Sequence, residues 1–130
     1  MSPAISYHCL GYAALEVCNP FDMAAVDAVL TRTGLRPRAR ALDIGTGNGA
    51  IAIRLADRFG LEVTAVELDA AMADIARARI SASPAADRIV LRQGRSGDVL
   101  ADIAPLDLIV ATGVTDPIGD GRLEPVAILA

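Results

Sequence analysis

The segment Ala41-Leu-Asp-Ile-Gly-Thr-Gly-Asn-Gly-Ala50 constrains what this chain can fold into more than any other. An apolar run carries an acid, Asp43, and glycines follow at 45, 47 and 49. The Ala-rich stretch from Ala50 to Phe59 then has the spacing of an amphipathic helix. A strand that runs into a Gly-rich turn and leaves it as a helix is the local architecture of a nucleotide-cofactor site. Glycine lets the backbone take positive φ and lets a ligand approach it closely. The free N–H groups at the helix start can then face polar ligand groups. A second apolar run, Val63-Thr-Ala-Val66, ends in Glu67. An acid at the end of a second strand can accept hydrogen bonds from both hydroxyls of a ribose. Two acids around one glycine turn are more than an unliganded strand–helix turn requires.

The rest of the chain repeats the alternation. Asn19-Pro20 reads as an N-cap followed by Pro at the first helical position, with a helix to about Thr33 stopped by Gly34. Strands are expected at about Arg40–Ile44, Glu62–Glu67, Arg88–Arg92 and Leu106–Ala111. Helices fall between them: Ala50–Phe59 closed by Gly60, a helix capped by Asp69 to about Ile80, and a short one over Asp98–Ile103 before Pro105. Ser81-Ala-Ser-Pro84 and 112–121 read as loops, and Glu124–Ala130 as the start of another helix. Alternating strands and helices give an α/β fold, a doubly wound and mainly parallel sheet with helices on both faces. Right-handed crossovers set the strand order 3-2-1-4. Ligand then belongs outside the carboxyl ends of strands one and four, where the order reverses. The expected organisation is a single cofactor-binding domain, with 1–34 as a helical leader or lid and 35–130 as a Rossmann-like core.

In these motifs the chain resembles the class I S-adenosylmethionine-dependent methyltransferases. Their acid-x-Gly-x-Gly-x-Gly motif is matched by Asp43, Gly45, Gly47 and Gly49. Their second-strand acid is matched by Glu67, and their fourth-strand Asp by Asp107 in Leu106-Asp-Leu-Ile-Val110. The likeness runs from about Leu35 to Thr115. It implies S-adenosyl-L-methionine as cofactor and methyl transfer by in-line displacement. It also implies roles for residues. The turn backbone at Gly45–Gly47 would face the methionine part and Asp43 its ammonium group, with Thr46, Asn48 and Gly49 also in the candidate cofactor set. Glu67 would take the ribose hydroxyls, with Leu68 packing near the adenine. Many family members place an acid where Arg95 stands here, and a cation cannot accept the adenine amino group's hydrogen bond. Ser96 and Thr112, after strands three and four, complete the candidate cofactor set. No catalytic base is identified: His8, Tyr7 and Tyr12 lie in the leader, where packing explains them as well. No metal site is expected, since one His and two Cys, Cys9 and Cys18, do not make a structural zinc centre.

An NAD(P)- or flavin-binding Rossmann domain remains an alternative, because Gly45-Thr-Gly-Asn-Gly-Ala50 also fits G-x-G-x-x-A. Asp43 stands against it, at a position where dinucleotide domains usually keep an apolar residue. A non-catalytic binding module is the third reading. The family fold has seven strands in the order 3-2-1-4-5-7-6, of which this chain supplies four. The chain is therefore expected to be a fragment with strand four exposed at an edge, and self-association through that edge follows.

Composition bounds the partners. Net charge is −4, and every one of the 12 basic residues is Arg. With no Lys, a P-loop lysine and a Schiff-base lysine are both excluded. The acidic balance and the lack of an Asn-Pro-Pro-Tyr type motif after strand four point to a small-molecule acceptor ahead of a protein side chain, and to no nucleic acid. The apolar runs are short and broken by Asp or Arg, so no membrane partner is expected. Without a basic, apolar N-terminal signal the expected location is the cytoplasm. The Arg- and Ala-rich usage fits a GC-rich bacterial source.

Overall fold

Three parallel pairings build the sheet. The structure, a computed structural model, describes residues 11, 14–16, 18 and 22–112. In chain order its elements are α1 (Met23–Thr33), β1 (Arg40–Ile44), α2 (Ala50–Phe59), β2 (Glu62–Glu67), α3 (Ala70–Ala82), β3 (Ile89–Gln93), α4 (Ser96–Asp102) and β4 (Leu108–Ala111). The sheet order is β3-β2-β1-β4, all parallel, as the alternating pattern requires. Among the described residues β4 pairs with β1 alone and so lies at an edge.

Register assigns each strand residue to a face. Ala41, Val63, Ile89 and Leu108 form one row, and Asp43, Ala65, Leu91 and Val110 the next. This face packs against Ile51, Ala52, Leu55 and Ala56 of α2, Ala76 and Ile80 of α3, and Leu30 of α1. Asp43 is therefore an acid within an otherwise apolar face. The opposite face carries Leu42, Ile44 and Val66 under Val99 and Leu100 of α4, with Ile103 and Leu106 from the connection to β4. At its margins Val90 and Ile109 are exposed, at 60% and 41%.

The helices begin and end for local reasons. Asp22, not Asn19, caps α1: its carboxylate accepts the Ala24 N–H at 2.9 Å. Asn19, Pro20 and Phe21 lie outside the described residues. Gly34 and Gly60 close α1 and α2 in the left-handed conformation, and Asp69 caps α3 through the Met72 N–H at 2.9 Å. The third helix runs through Ser81 and Ala82, further than expected, and stops at Ser83. That residue precedes Pro84, which drives it to an extended conformation (φ −80°, ψ 145°). A 3-10 turn over Ala86–Arg88 then delays β3 by one residue, with Arg88 donating to the Ala56 carbonyl at 2.9 Å. The short fourth helix starts at Ser96, earlier than expected.

Two polar ties join neighbouring elements. Asp27 of α1, only 7% exposed, accepts from Arg54 and forms an ion pair with Arg58, both of α2. The bond from Arg54 holds the Asp27 carboxyl below its ordinary range. Asp107, expected inside the fourth strand, sits just ahead of it. Its carboxylate accepts the Arg40 N–H at 2.8 Å and its own N–H donates to the Arg40 carbonyl at 2.9 Å. It joins the starts of β1 and β4, at the end of the sheet opposite the glycine turn.

Candidate functional site

The carboxyl ends of β1 and β2 lie side by side, and the turn leaving β1 stays tied to β2 through Thr46 N–H donating to the Val66 carbonyl at 2.9 Å. Gly45, Gly47 and Gly49 have φ of 66°, 58° and 83°. Left-handed backbone at three alternating positions costs an L-residue roughly 1–2 kcal/mol each, so the turn needs glycine. Gly49 is the N-cap of α2 and supplies no side-chain cap. The helix therefore starts with main-chain donors at the turn.

The second-strand acid reaches this turn. Glu67 Oε2 accepts the Gly47 N–H at 2.9 Å, and Oε1 accepts the Asp69 N–H at 3.1 Å. Two amides thus fix the carboxylate plane while each oxygen keeps a further acceptor direction. Leu68 follows it, 55% exposed, an apolar side chain standing at the mouth of the turn.

Asp43 lies beneath. It is 1% exposed, with Oδ2 accepting from the Thr46 hydroxyl at 2.6 Å. Oδ1 is buried and has no hydrogen-bond partner. Burial pushes the Asp43 carboxyl up to about 7. The Thr46 hydroxyl and the nearby Ala52 amide offset part of that rise, and the Glu67 charge adds to it. A buried carboxyl with one unpartnered oxygen and a raised pKa, under a glycine turn, is a group that a cation would complete.

All ten predicted cofactor residues fall at the carboxyl end of the sheet. Asp43 lies near the carboxyl end of β1; Gly45, Thr46, Gly47, Asn48 and Gly49 join β1 to α2; Glu67 ends β2 and Leu68 follows it; Ser96 opens α4 after β3; Thr112 directly follows β4. Direct hydrogen bonds join Asp43 to Thr46 and Gly47 to Glu67; topology brings Ser96 and Thr112 to the same end of the sheet. Asn48 differs from the expectation. Its side chain is 1% exposed, with Oδ1 accepting the Ala50 N–H at 3.1 Å and Nδ2 donating to the Leu15 and Glu16 carbonyls. Arg95 is exposed at the start of α4. Tyr7, His8, Cys9, Tyr12 and 113–130 lie outside the described residues.

Sequence reasoning missed two residues here. Arg79 of α3 donates to the same leader carbonyls, and the Cys18 sulfur packs onto Gly47. Neither carries a motif that could have marked it. Among the described residues no group of three or more His, Cys, Asp or Glu could hold a metal ion, and no helix is long and apolar enough to cross a membrane.

Comparison with known proteins agrees with this geometry. A family described as a methyltransferase domain matches residues 41–125. The ribosomal protein L11 methyltransferase of Desulfitobacterium hafniense is 39% identical over 84 residues, 65% of this chain and 26% of that protein. The tRNA1(Val) (adenine(37)-N6)-methyltransferase of Aeromonas salmonicida is 39% identical over 93 residues, 70% of this chain and 39% of that protein. The chain thus spans well under half the length of these relatives. A methyltransferase from Thiobacillus denitrificans, solved with S-adenosyl-L-homocysteine, shares the fold at a TM-score of 0.69 and 24% identity, over 85% of this chain and 44% of that one. These relatives overturn the partner expectation of a small molecule first and no nucleic acid: one is named for a ribosomal protein and the other for a tRNA adenine. A net charge of −4 is a sum over the whole chain and does not decide what a local surface contacts.

Proposed function

The chain belongs to the methyltransferase-domain family, and on that premise we propose that it is the donor-binding core of an S-adenosyl-L-methionine-dependent methyltransferase acting on a macromolecule, protein or RNA. The observation that carries the reading is the Glu67 carboxylate held against the left-handed glycine turn by the Gly47 N–H. The residues fit the donor. Glu67 is oriented by two amides and retains acceptor capacity for two ribose hydroxyls. Leu68 offers an exposed apolar surface to an adenine ring. Asp43 has an unpartnered buried oxygen suited to an ammonium group, whose charge would draw the carboxyl down from about 7 to the ionised form.

When bound, S-adenosyl-L-methionine supplies a methyl group activated by positively charged sulfur. The protein's share is placement. Holding donor and acceptor in line removes orientational entropy that otherwise makes up several kcal/mol of the barrier, up to roughly 7–11. The glycine turn, Glu67 and Asp43 sit on strand ends rather than on long loops, which keeps that placement rigid. The acceptor class follows the curated relatives, whose names specify a ribosomal protein and a tRNA adenine.

Titration calorimetry with S-adenosyl-L-methionine, S-adenosyl-L-homocysteine and NAD tests the reading. Binding of the first two without NAD is expected. Binding of NAD alone would return the site to a dinucleotide-dependent oxidoreductase.

A further inference from the structure

Two side chains from different elements converge on the same pair of main-chain carbonyls. Asn48, in the glycine turn, donates from Nδ2 to the Leu15 carbonyl at 3.0 Å and the Glu16 carbonyl at 3.3 Å. Arg79, on α3, donates to the Leu15 carbonyl at 2.8 Å and the Glu16 carbonyl at 3.4 Å. Both Nδ2 hydrogens are engaged in this, and Oδ1 accepts the Ala50 N–H at the start of α2. One side chain therefore links the leader, the turn and the helix. The consequence appears at Cys18. Its sulfur lies 3.0 Å from where a Cβ on Gly47 would stand, with the Met72 methyl on the same side at 3.9 Å. The thiol is pushed above its ordinary range by burial and lies within the fields of both Arg79 and Glu67. Cys18 is thus packed onto the glycine whose N–H binds Glu67.

We propose that Asn48 and Arg79 are positioning residues: together they clamp Leu15 and Glu16, and with them Cys18, against the glycine turn, making this part of the leader a wall of the donor site. The proposal rests on the methyltransferase reading. An arginine fork and an amide are suited to this, because each presents two donors to adjacent carbonyls. A leader held this way excludes water from one side of the turn and fixes the Gly47 amide that orients Glu67.

Cys18 reports the clamp, because its half-buried thiol must be uncovered before it can react. The experiment uses the full chain in a Cys9→Ser background and follows iodoacetamide labelling of Cys18 by mass spectrometry. S-adenosyl-L-homocysteine affinity is measured on the same proteins by calorimetry. Arg79→Ala and Asn48→Asp are the variants. Aspartate keeps the acceptor for the Ala50 N–H but loses both donors to the leader and faces the carbonyls with charge. Expected are at least tenfold slower labelling of the parent with S-adenosyl-L-homocysteine bound, and at least fivefold faster labelling of each ligand-free variant. Affinity should fall at least fivefold in each, with unchanged circular dichroism. A merely structural role would lower the unfolding midpoint without moving ligand protection of the thiol. If the parent binds the homocysteine but labelling is not slowed, or if Arg79→Ala labels at the parental rate, the clamp is refuted alone. If the parent binds none, the methyltransferase reading fails and the clamp's role in donor binding fails with it.

Discussion

Replacing Asp43 with Asn should stabilise the protein at alkaline pH and weaken donor binding at the same time. The carboxyl is 1% exposed and is raised from an ordinary 3.8 to about 7, chiefly by desolvation. The unfolded chain therefore gives up this proton at lower pH than the folded one does. Stability is lost as pH rises from about 4 to about 7 and levels off above that. With one pKa unit equal to about 1.4 kcal/mol, the cost is about 2 kcal/mol at pH 5 and about 4 kcal/mol at pH 8. Asparagine removes that cost and still accepts from the Thr46 hydroxyl. Its amide nitrogen takes the place of Oδ1, which has no partner, and a buried unsatisfied donor costs about 1–3 kcal/mol. The variant should lie near the parent or slightly below it at pH 5, and about 1–3 kcal/mol above it at pH 8. Urea unfolding followed by circular dichroism at the two pH values measures the gap. A gap that does not widen by roughly 2–3 kcal/mol between them would refute the buried carboxyl with its raised pKa. Calorimetry should show weaker S-adenosyl-L-homocysteine binding in the same variant. Opposite signs for stability and affinity separate a group held for function from one held for the fold.

The parts of the fold that were legible in the sequence are those fixed by the residues themselves. The apolar runs of β1 and β2 are bounded by charge and by turn glycines, and both strands occupy the expected residues, Arg40–Ile44 and Glu62–Glu67. Asp69, Gly34 and Gly60 act as caps because their chemistry allows little else at those positions. The third helix shows the opposite case. Ser81 and Ala82 look like loop residues, yet the helix continues until Pro84 forces Ser83 out of it. Asp107 was read as a strand residue, whereas its donor and acceptor groups both belong to Arg40 of the neighbouring strand. The leader clamp had no signal. Arg79 has the spacing of an ordinary helix-surface arginine, and its partners are main-chain carbonyls more than 60 residues earlier. Main-chain acceptors are the same at every position, so no pattern of side chains announces them.

The partner correction has a similar origin. Asp and Glu outnumber Arg by 16 to 12, which reads as an acidic protein. The charges are not evenly spread. From Ala28 to Leu42 there is no acid, and the stretch holds Arg32, Arg36, Arg38 and Arg40. These four are exposed and make no salt bridge among the described residues, whereas Arg54, Arg58, Arg77 and Arg92 each pair with an Asp. Counter-charge is concentrated where it is already neutralised. Net charge bounds solubility and long-range steering and leaves local recognition open.

Further outcomes follow from Glu67 and Gly47. Glu67→Ala removes two charge-assisted acceptors for the ribose, each worth roughly 1.5–3 kcal/mol, so calorimetry should show S-adenosyl-L-homocysteine affinity reduced at least tenfold with the fold intact. Unchanged affinity there would make the acid a solvated strand end. Glu67→Gln should also bind weakly, because Gln has one acceptor oxygen where the Gly47 and Asp69 amides use two; parental affinity would show that these amides do not set the carboxylate's pose. Gly47→Ala combines two costs. Its φ of 58° is unfavourable for an L-residue by roughly 1–2 kcal/mol, and the new methyl meets the Cys18 sulfur at 3.0 Å. Cys18 is the neighbour that must give way, so Gly47→Ala with Cys18→Ala should recover the steric part and retain the backbone part. A double-mutant cycle of urea midpoints reads this coupling directly. Strict additivity would mean that the thiol does not rest on the glycine turn in solution.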